Sequence, residues 1–204
     1  LIARRLMYWQ VYMHKTVISS ESLLVNILKR AKELAGEGVD LYATPALRFF
    51  LYNKIGRNDL DRNNNFTPAL IASNFTRLDD SDILVSAKYW VDNSDIVLSD
   101  LSRRLLRRDL FAIELQDSPF PEKRVNELRA RAGKLLMVDK EFEDYYVFTD
   151  SISNMAYTPD ATEVKILLKN GSTADISTVS DMFDHRFLSE RITKYFLCYP
   201  KECR

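Results

Sequence analysis

The chain has 204 residues, in which 29 Lys and Arg balance 29 Asp and Glu, with 46% hydrophobic and 28% charged side chains. A formal charge of zero argues against a nucleic-acid coat, a polybasic membrane binder or an acidic tail, since each depends on a net field. The length admits one large domain or two small ones with a sizeable core. No apolar run approaches the roughly 20 residues needed to cross a bilayer, and the opening residues carry no charged-then-apolar signal segment. A cytoplasmic protein is therefore expected, with neither membrane nor nucleic acid among its partners.

From Ile2 to about Ala35 there is neither Pro nor Gly, and Leu6, Met13, Val17, Leu24, Ile27, Leu28, Ala31 and Leu34 recur at three- and four-residue steps. The spacing predicts one long helix, stopped by Gly36 and Gly38. Thr44 followed by Pro45 supplies cap chemistry and then the proline favoured at the first helical position, so a short helix follows, with Gly56 ending the turn. Residues 57–68, with Asn63, Asn64, Asn65 and Pro68, read as a polar loop. Asp79, Asp80 and Asp82 precede Ile83, Leu84, Ala87, Tyr89 and Trp90, which puts acidic groups at the positive end of a third helix. A fourth runs from about Ser94 to Arg107, with Arg103, Arg104, Arg107 and Arg108 crowding its end.

At Leu110 the pattern changes. Phe111, Ile113 and Leu115 alternate with Ala112 and Glu114 as in a strand, and a charged helix is expected from about Glu122 to Leu136. Strands follow at Tyr145 to Thr149, at Glu163 to Lys169 turned by Asn170-Gly171 into Ser172 to Ile176, and at Tyr195 to Tyr199, with a short helical piece near Val179 to Asp184. The expected fold class is α+β. An all-helical half over residues 1–109, a long helix plus three shorter ones, precedes a small α+β unit over 110–204 with a mainly antiparallel sheet.

Arg4, Tyr8 and Tyr12 stand at steps of four, so they share one helix face, a guanidinium beside two phenols. An arginine fork grips phosphate oxygens, and a tyrosine stacks on a sugar or base while donating a hydrogen bond. The competing reading has Tyr8, Trp9 and Tyr12 as half-buried packing aromatics. His14 and Lys15, on an adjacent face, could hold an anion or simply be solvated. Helix-start chemistry accounts for the three aspartates without a metal, and a helix end favours the arginine cluster in any case.

Cys198 and Cys203 lie too close for a disulfide to add much and read as reduced thiols. With only His14 and His185 in the chain, a site of several imidazoles has no donors, and His185 reads as structural. There is no Gly-x-Ser-x-Gly elbow, and five glycines form no phosphate-cradling loop. No catalytic centre is composed by this chain itself.

The stretch Ala3-Arg4-Arg5-Leu6-Met7-Tyr8-Trp9-Gln10-Val11-Tyr12-Met13-His14-Lys15-Thr16 resembles the HD-domain phosphohydrolases, in their bacterial deoxynucleoside triphosphate triphosphohydrolase branch. There an arginine followed by Met-Tyr-x-x-Val-Tyr-x-His-Lys lies on the long helix after the metal-binding part of the fold. Weaker echoes occur at Leu78 to Trp90, Leu105 to Phe111, Ser153 to Tyr157 and Lys194 to Pro200. The resemblance implies that Arg4 grips the triphosphate, Tyr12 meets the deoxyribose and Tyr8 lines the same pocket. It further implies that His14 and Lys15 approach an effector nucleotide held between subunits. The family's histidine, His-Asp pair and later aspartate are absent here, and Asp184-His185 has the reverse order. The expectation is a C-terminal fragment that binds no metal and is inactive alone. Its full-length parent would use a divalent metal such as Mg, Mn, Fe or Ni, take a dNTP to deoxynucleoside and triphosphate, and form a homo-oligomer. The alternative is a non-catalytic regulatory or interaction module of a degenerate HD protein.

Overall fold

A computed structural model describes residues 2–56, 66–154, 165–175 and 192–204, with the side chains of residues 2, 4, 5, 9, 154 and 175 left out of the description. Helix α1 (Ile2–Met7) passes into a π-helical turn (Tyr8–Tyr12) and then into α2 (Lys15–Gly36). The single helix expected over residues 2–35 is thus broken. Met13 donates its N–H to the Tyr8 carbonyl at 2.8 Å, a five-residue step, and His14 is extended with ψ 136°. Two local causes act together. Tyr8, Trp9, Val11 and Tyr12 are aromatic or β-branched and hold a helix weakly. His14 then caps a fresh helix, its Nδ1 accepting the Thr16 N–H at 3.3 Å. Helix α2 ends as its glycines require. Gly38 takes φ +88°, its N–H reaches the Ala35 carbonyl, and the Val39 N–H reaches the Leu34 carbonyl.

Helix α3 (Pro45–Tyr52) begins where Thr44-Pro45 placed it, although the Thr44 hydroxyl makes no capping bond. Helix α4 (Pro68–Phe75) was not foreseen. Thr67 caps it through the Leu70 N–H at 3.2 Å. Helix α5 (Asp80–Trp90) starts from a reciprocal cap: Asp79 accepts the Ser81 and Asp82 N–H groups, and Asp82 accepts the N–H of Asp79 at 2.8 Å. Helix α6 (Ile96–Arg107) is capped by Asp95 and closed by Arg108 in the left-handed region.

Strand β1 (Ala112–Gln116) and helix α7 (Glu122–Leu136) match expectation. Strand β2 (Phe148–Asn154) starts later than Tyr145 because residues 140–145 wind into a 3-10 turn. The hairpin of β3 (Lys165–Leu167) and β4 (Thr173–Asp175) turns at Asn170-Gly171, where Gly171 has φ +81°. Strand β5 (Ile192–Tyr199) lies between β1 and β2, antiparallel to both, with Cys198 opposite Ile113 on one side and Phe148 on the other. The fold is α+β, a helical N-terminal part joined to a small antiparallel sheet. The helical piece near 179–184 and His185 lie outside the described residues.

One apolar core crosses residue 109. Leu23, Ile27, Ala31 and Leu34 of α2 face Val97, Leu98 and Leu101 of α6, and the same cluster takes in Phe111, Ile113, Leu197 and Cys198. Two arginines enter its margin with their charges matched. Arg30 and Asp95 expose only 9% and 16% of their side chains and meet at 2.7 Å, tying α2 to the start of α6. Arg104 is shared by Asp100, Asp109 and Glu202, and so fastens the C-terminal residues to α6. Among the described residues, no helix is long and apolar enough to cross a membrane.

Candidate functional site

The break before α2 divides the sequence candidates between two clefts. Arg4 lies on α1, and its side chain is outside the described part of the structure. Tyr8 is half-buried and Tyr12 is 49% exposed; their ring centroids lie 4.9 Å apart at 52°, so the two phenols do share a face. Tyr12 opens onto a cleft of about 310 Å³, walled by Ile18, Phe148, Ile152 and Phe196 and carrying the carboxylates of Glu21 and Asp150. That cleft suits an apolar ring better than a phosphate chain.

Lys15 belongs to a different opening, a groove of about 1060 Å³ between the first turn of α2, strand β1 and helix α7. Lys15, Arg108, Arg124, Arg131, Lys201 and Arg204 line it, against Glu114 and Glu127. Arg124 donates to both oxygens of Glu114 at 2.7 and 2.6 Å, and the Tyr199 hydroxyl donates to Glu114 at 2.6 Å. That acid is therefore held against the wall. Lys15 is exposed, and among the described residues Lys201 has a loose partner in Asp109 at 3.9 Å. The balance is positive in an opening large enough for a nucleotide. His14 is exposed, and its Nδ1 caps α2; it is not among the lining residues of the groove. The structure thus keeps Tyr8 with Tyr12 but separates His14 from Lys15.

Sequence reasoning saw Lys15 and Arg108 separately and missed Arg131, Lys201 and Arg204, which only the tertiary fold brings beside them. Cys203 also lines this groove, and burial, followed by the charge of Glu202, pushes its thiol above the ordinary range. Both cysteines are free and buried. Among the described residues, no three His, Cys, Asp or Glu side chains converge as metal ligands. Asp79 and Asp82 are engaged in the cap of α5.

The fold has a counterpart among known proteins. The 2.20 Å crystal structure of a phosphohydrolase from Bacteroides thetaiotaomicron superposes with a TM-score of 0.85 at 41% identity, covering 97% of this chain and 48% of that one. A Bacillus subtilis protein described as uncharacterized protein YwfO is 30% identical over 212 aligned positions, 99% of this chain and 44% of the relative. The chain thus spans about half the length of these two proteins. No protein-family model matches it.

Proposed function

We propose that this chain is the C-terminal part of an HD-type phosphohydrolase that resembles the dNTP triphosphohydrolases, and that its basic groove takes the polyphosphate arm of a nucleotide. The observation that carries the reading is the cation-lined groove that begins at Lys15, in a chain 41% identical to a phosphohydrolase over nearly its whole length. Guanidinium forks and a lysine suit the closely spaced negative charges of a triphosphate. The parent reaction would be attack of water on the α-phosphorus of a dNTP, releasing deoxynucleoside and triphosphate. In it, Arg4 binds phosphate oxygens, Tyr12 orients the sugar and Tyr8 lines the same pocket. Lys15, with Arg108 and Arg131, grips a second, effector nucleotide, and His14 fixes the helix start that presents Lys15. The divalent ion belongs to ligands outside this chain, so the chain alone turns nothing over. We place the parent in the cytoplasm as a homo-oligomer, with residues 1–109 continuing its helical fold and 110–204 as a C-terminal unit.

The test is release of deoxynucleoside and triphosphate from dNTPs by the full-length protein. Arg4→Ala is expected to lower kcat/KM on the order of 100-fold. Undiminished kcat/KM removes the role given to Arg4. No turnover by the natural full-length protein, with nucleotide binding retained, makes it the regulatory module instead.

A further inference from the structure

Helix α5 turns Ser86, Ala87 and Trp90 into the protein and leaves its opposite side open. On that side Asp80, Leu84 and Lys88 follow at steps of four, so they lie along one ridge of the helix. All three are exposed, Leu84 to 46%. The cap of α5 uses Asp79 and Asp82, and neither the Asp80 carboxylate nor the Lys88 ammonium has a hydrogen bond or ion pair among the described residues.

Tyr89 follows Lys88 around the helix and stacks on Tyr42, their ring centroids 3.8 Å apart at 19°. The two rings are 60% and 44% exposed. Trp90, buried beneath them, donates its indole N–H to the Tyr42 carbonyl at 2.9 Å. The stack is therefore in place before anything meets it, and tyrosines fixed in this way lose little freedom on being covered.

The order of charges along the ridge says what fits it. From start to end of α5 it runs acid, apolar, base, and at a rise of 1.5 Å per residue the charges stand about 6 Å to either side of Leu84. A strongly acidic or strongly basic partner would be attracted at one end and repelled at the other. The ridge turned about a twofold axis through Leu84 runs base, apolar, acid. Two copies so related set Asp80 of each against Lys88 of the other, and the two leucines meet at the axis. That reciprocity is the rule of a closed twofold dimer, and ridges of the i, i+4 kind interdigitate in the commonest helix packing.

We propose that α5 is a homodimer interface, packed antiparallel against α5 of a second copy of this chain. Reciprocal pairs of Asp80 with Lys88 bracket Leu84, and the Tyr42-Tyr89 stack flanks the seam. This interface gives a surface to the homo-oligomer placed above and rests on that placement; the nucleotide groove does not depend on it.

The experiment measures the monomer-dimer equilibrium of the natural chain, Asp80→Lys, Lys88→Asp and Leu84→Glu by analytical ultracentrifugation over a concentration series. The natural chain is expected to dimerise. Each charge variant alone sets like charges at both contacts and should dimerise at least about tenfold more weakly, as should Leu84→Glu, which puts two carboxylates at the axis. Both charge variants oppose the α5 dipole and cost a little folding stability, so their equimolar mixture is the deciding sample. Mixing Asp80→Lys with Lys88→Asp restores an opposite pair at each contact, and the mixture should form a heterodimer within about threefold of the natural affinity. A mixture that associates no better than either variant alone overturns the proposal. A dimer that survives all three variants overturns this interface and leaves the oligomer standing, whereas a natural chain that stays monomeric removes both.

Discussion

Tyr12 and Lys15 are three residues apart, yet they face clefts of opposite chemistry. On the Tyr12 side the walls are aromatic and aliphatic with two carboxylates; on the Lys15 side six cations outnumber two glutamates. A continuous helix would carry both residues on nearby faces of adjacent turns. The π turn and the extended His14 redirect the chain between them, so one short motif sends a tyrosine to one opening and a lysine to another. A sequence motif therefore specifies its residues without specifying that they act at one place.

The strongest way to break this arrangement is to loosen the helix on which both clefts rest. Asp95→Ala removes the partner of a nearly buried Arg30 and the cap of α6, and should cost about 3–5 kcal/mol by urea unfolding. A loss below about 1 kcal/mol would show that α2 is held otherwise. The same pair sets an acid limb. Burial pushes the Asp95 carboxyl up, but hydrogen bonds from Arg30 and the Leu98 N–H, with the Arg30 charge, outweigh it and leave it below its ordinary value. A depressed folded pKa means that the stabilisation is complete above the unfolded value of about 4 and is lost as pH falls through the folded one. Asp95→Asn should flatten that part of the stability profile.

Next in size are substitutions that separate the clefts. Arg131→Glu should weaken inorganic triphosphate by roughly ten- to a hundredfold, the range expected for losing a charge-assisted hydrogen bond. Glu21→Gln, in the Tyr12 cleft, should leave triphosphate affinity within about twofold, since exposed charges at a distance are screened. Equal effects of the two would merge the clefts into one site. The smallest effect is expected at the divider. His14→Asn offers a better capping side chain and should change stability by no more than a few tenths of a kcal/mol, measured by thermal unfolding. A large loss there would show that the imidazole does more than cap α2.

Helices α3, α5 and α7 and the Asn170-Gly171 hairpin were legible because their ends carry local chemistry: Pro45, the Asp79-Asp82 cap, Pro121 and a glycine that tolerates positive φ. The break at Met13-His14 carries no Gly or Pro and arises from weak helix formers next to a capping histidine, a signal too faint against a strong apolar period. Helix α4 had the same Thr-Pro start as α3, but the asparagine run before it was extended one step too far. The tyrosine ridge was legible as spacing. The basic groove was not, since Lys15, Arg108, Arg131 and Arg204 meet only when α2, α6, α7 and the C-terminal residues pack.

The most direct measurement is calorimetric titration of the natural chain and of Lys15→Ala with inorganic triphosphate and with a dNTP, at low and moderate salt. The account predicts saturable binding of both, weakened by added salt and lowered by roughly tenfold or more in Lys15→Ala. Absence of saturable binding, or binding indifferent to Lys15, would contradict it.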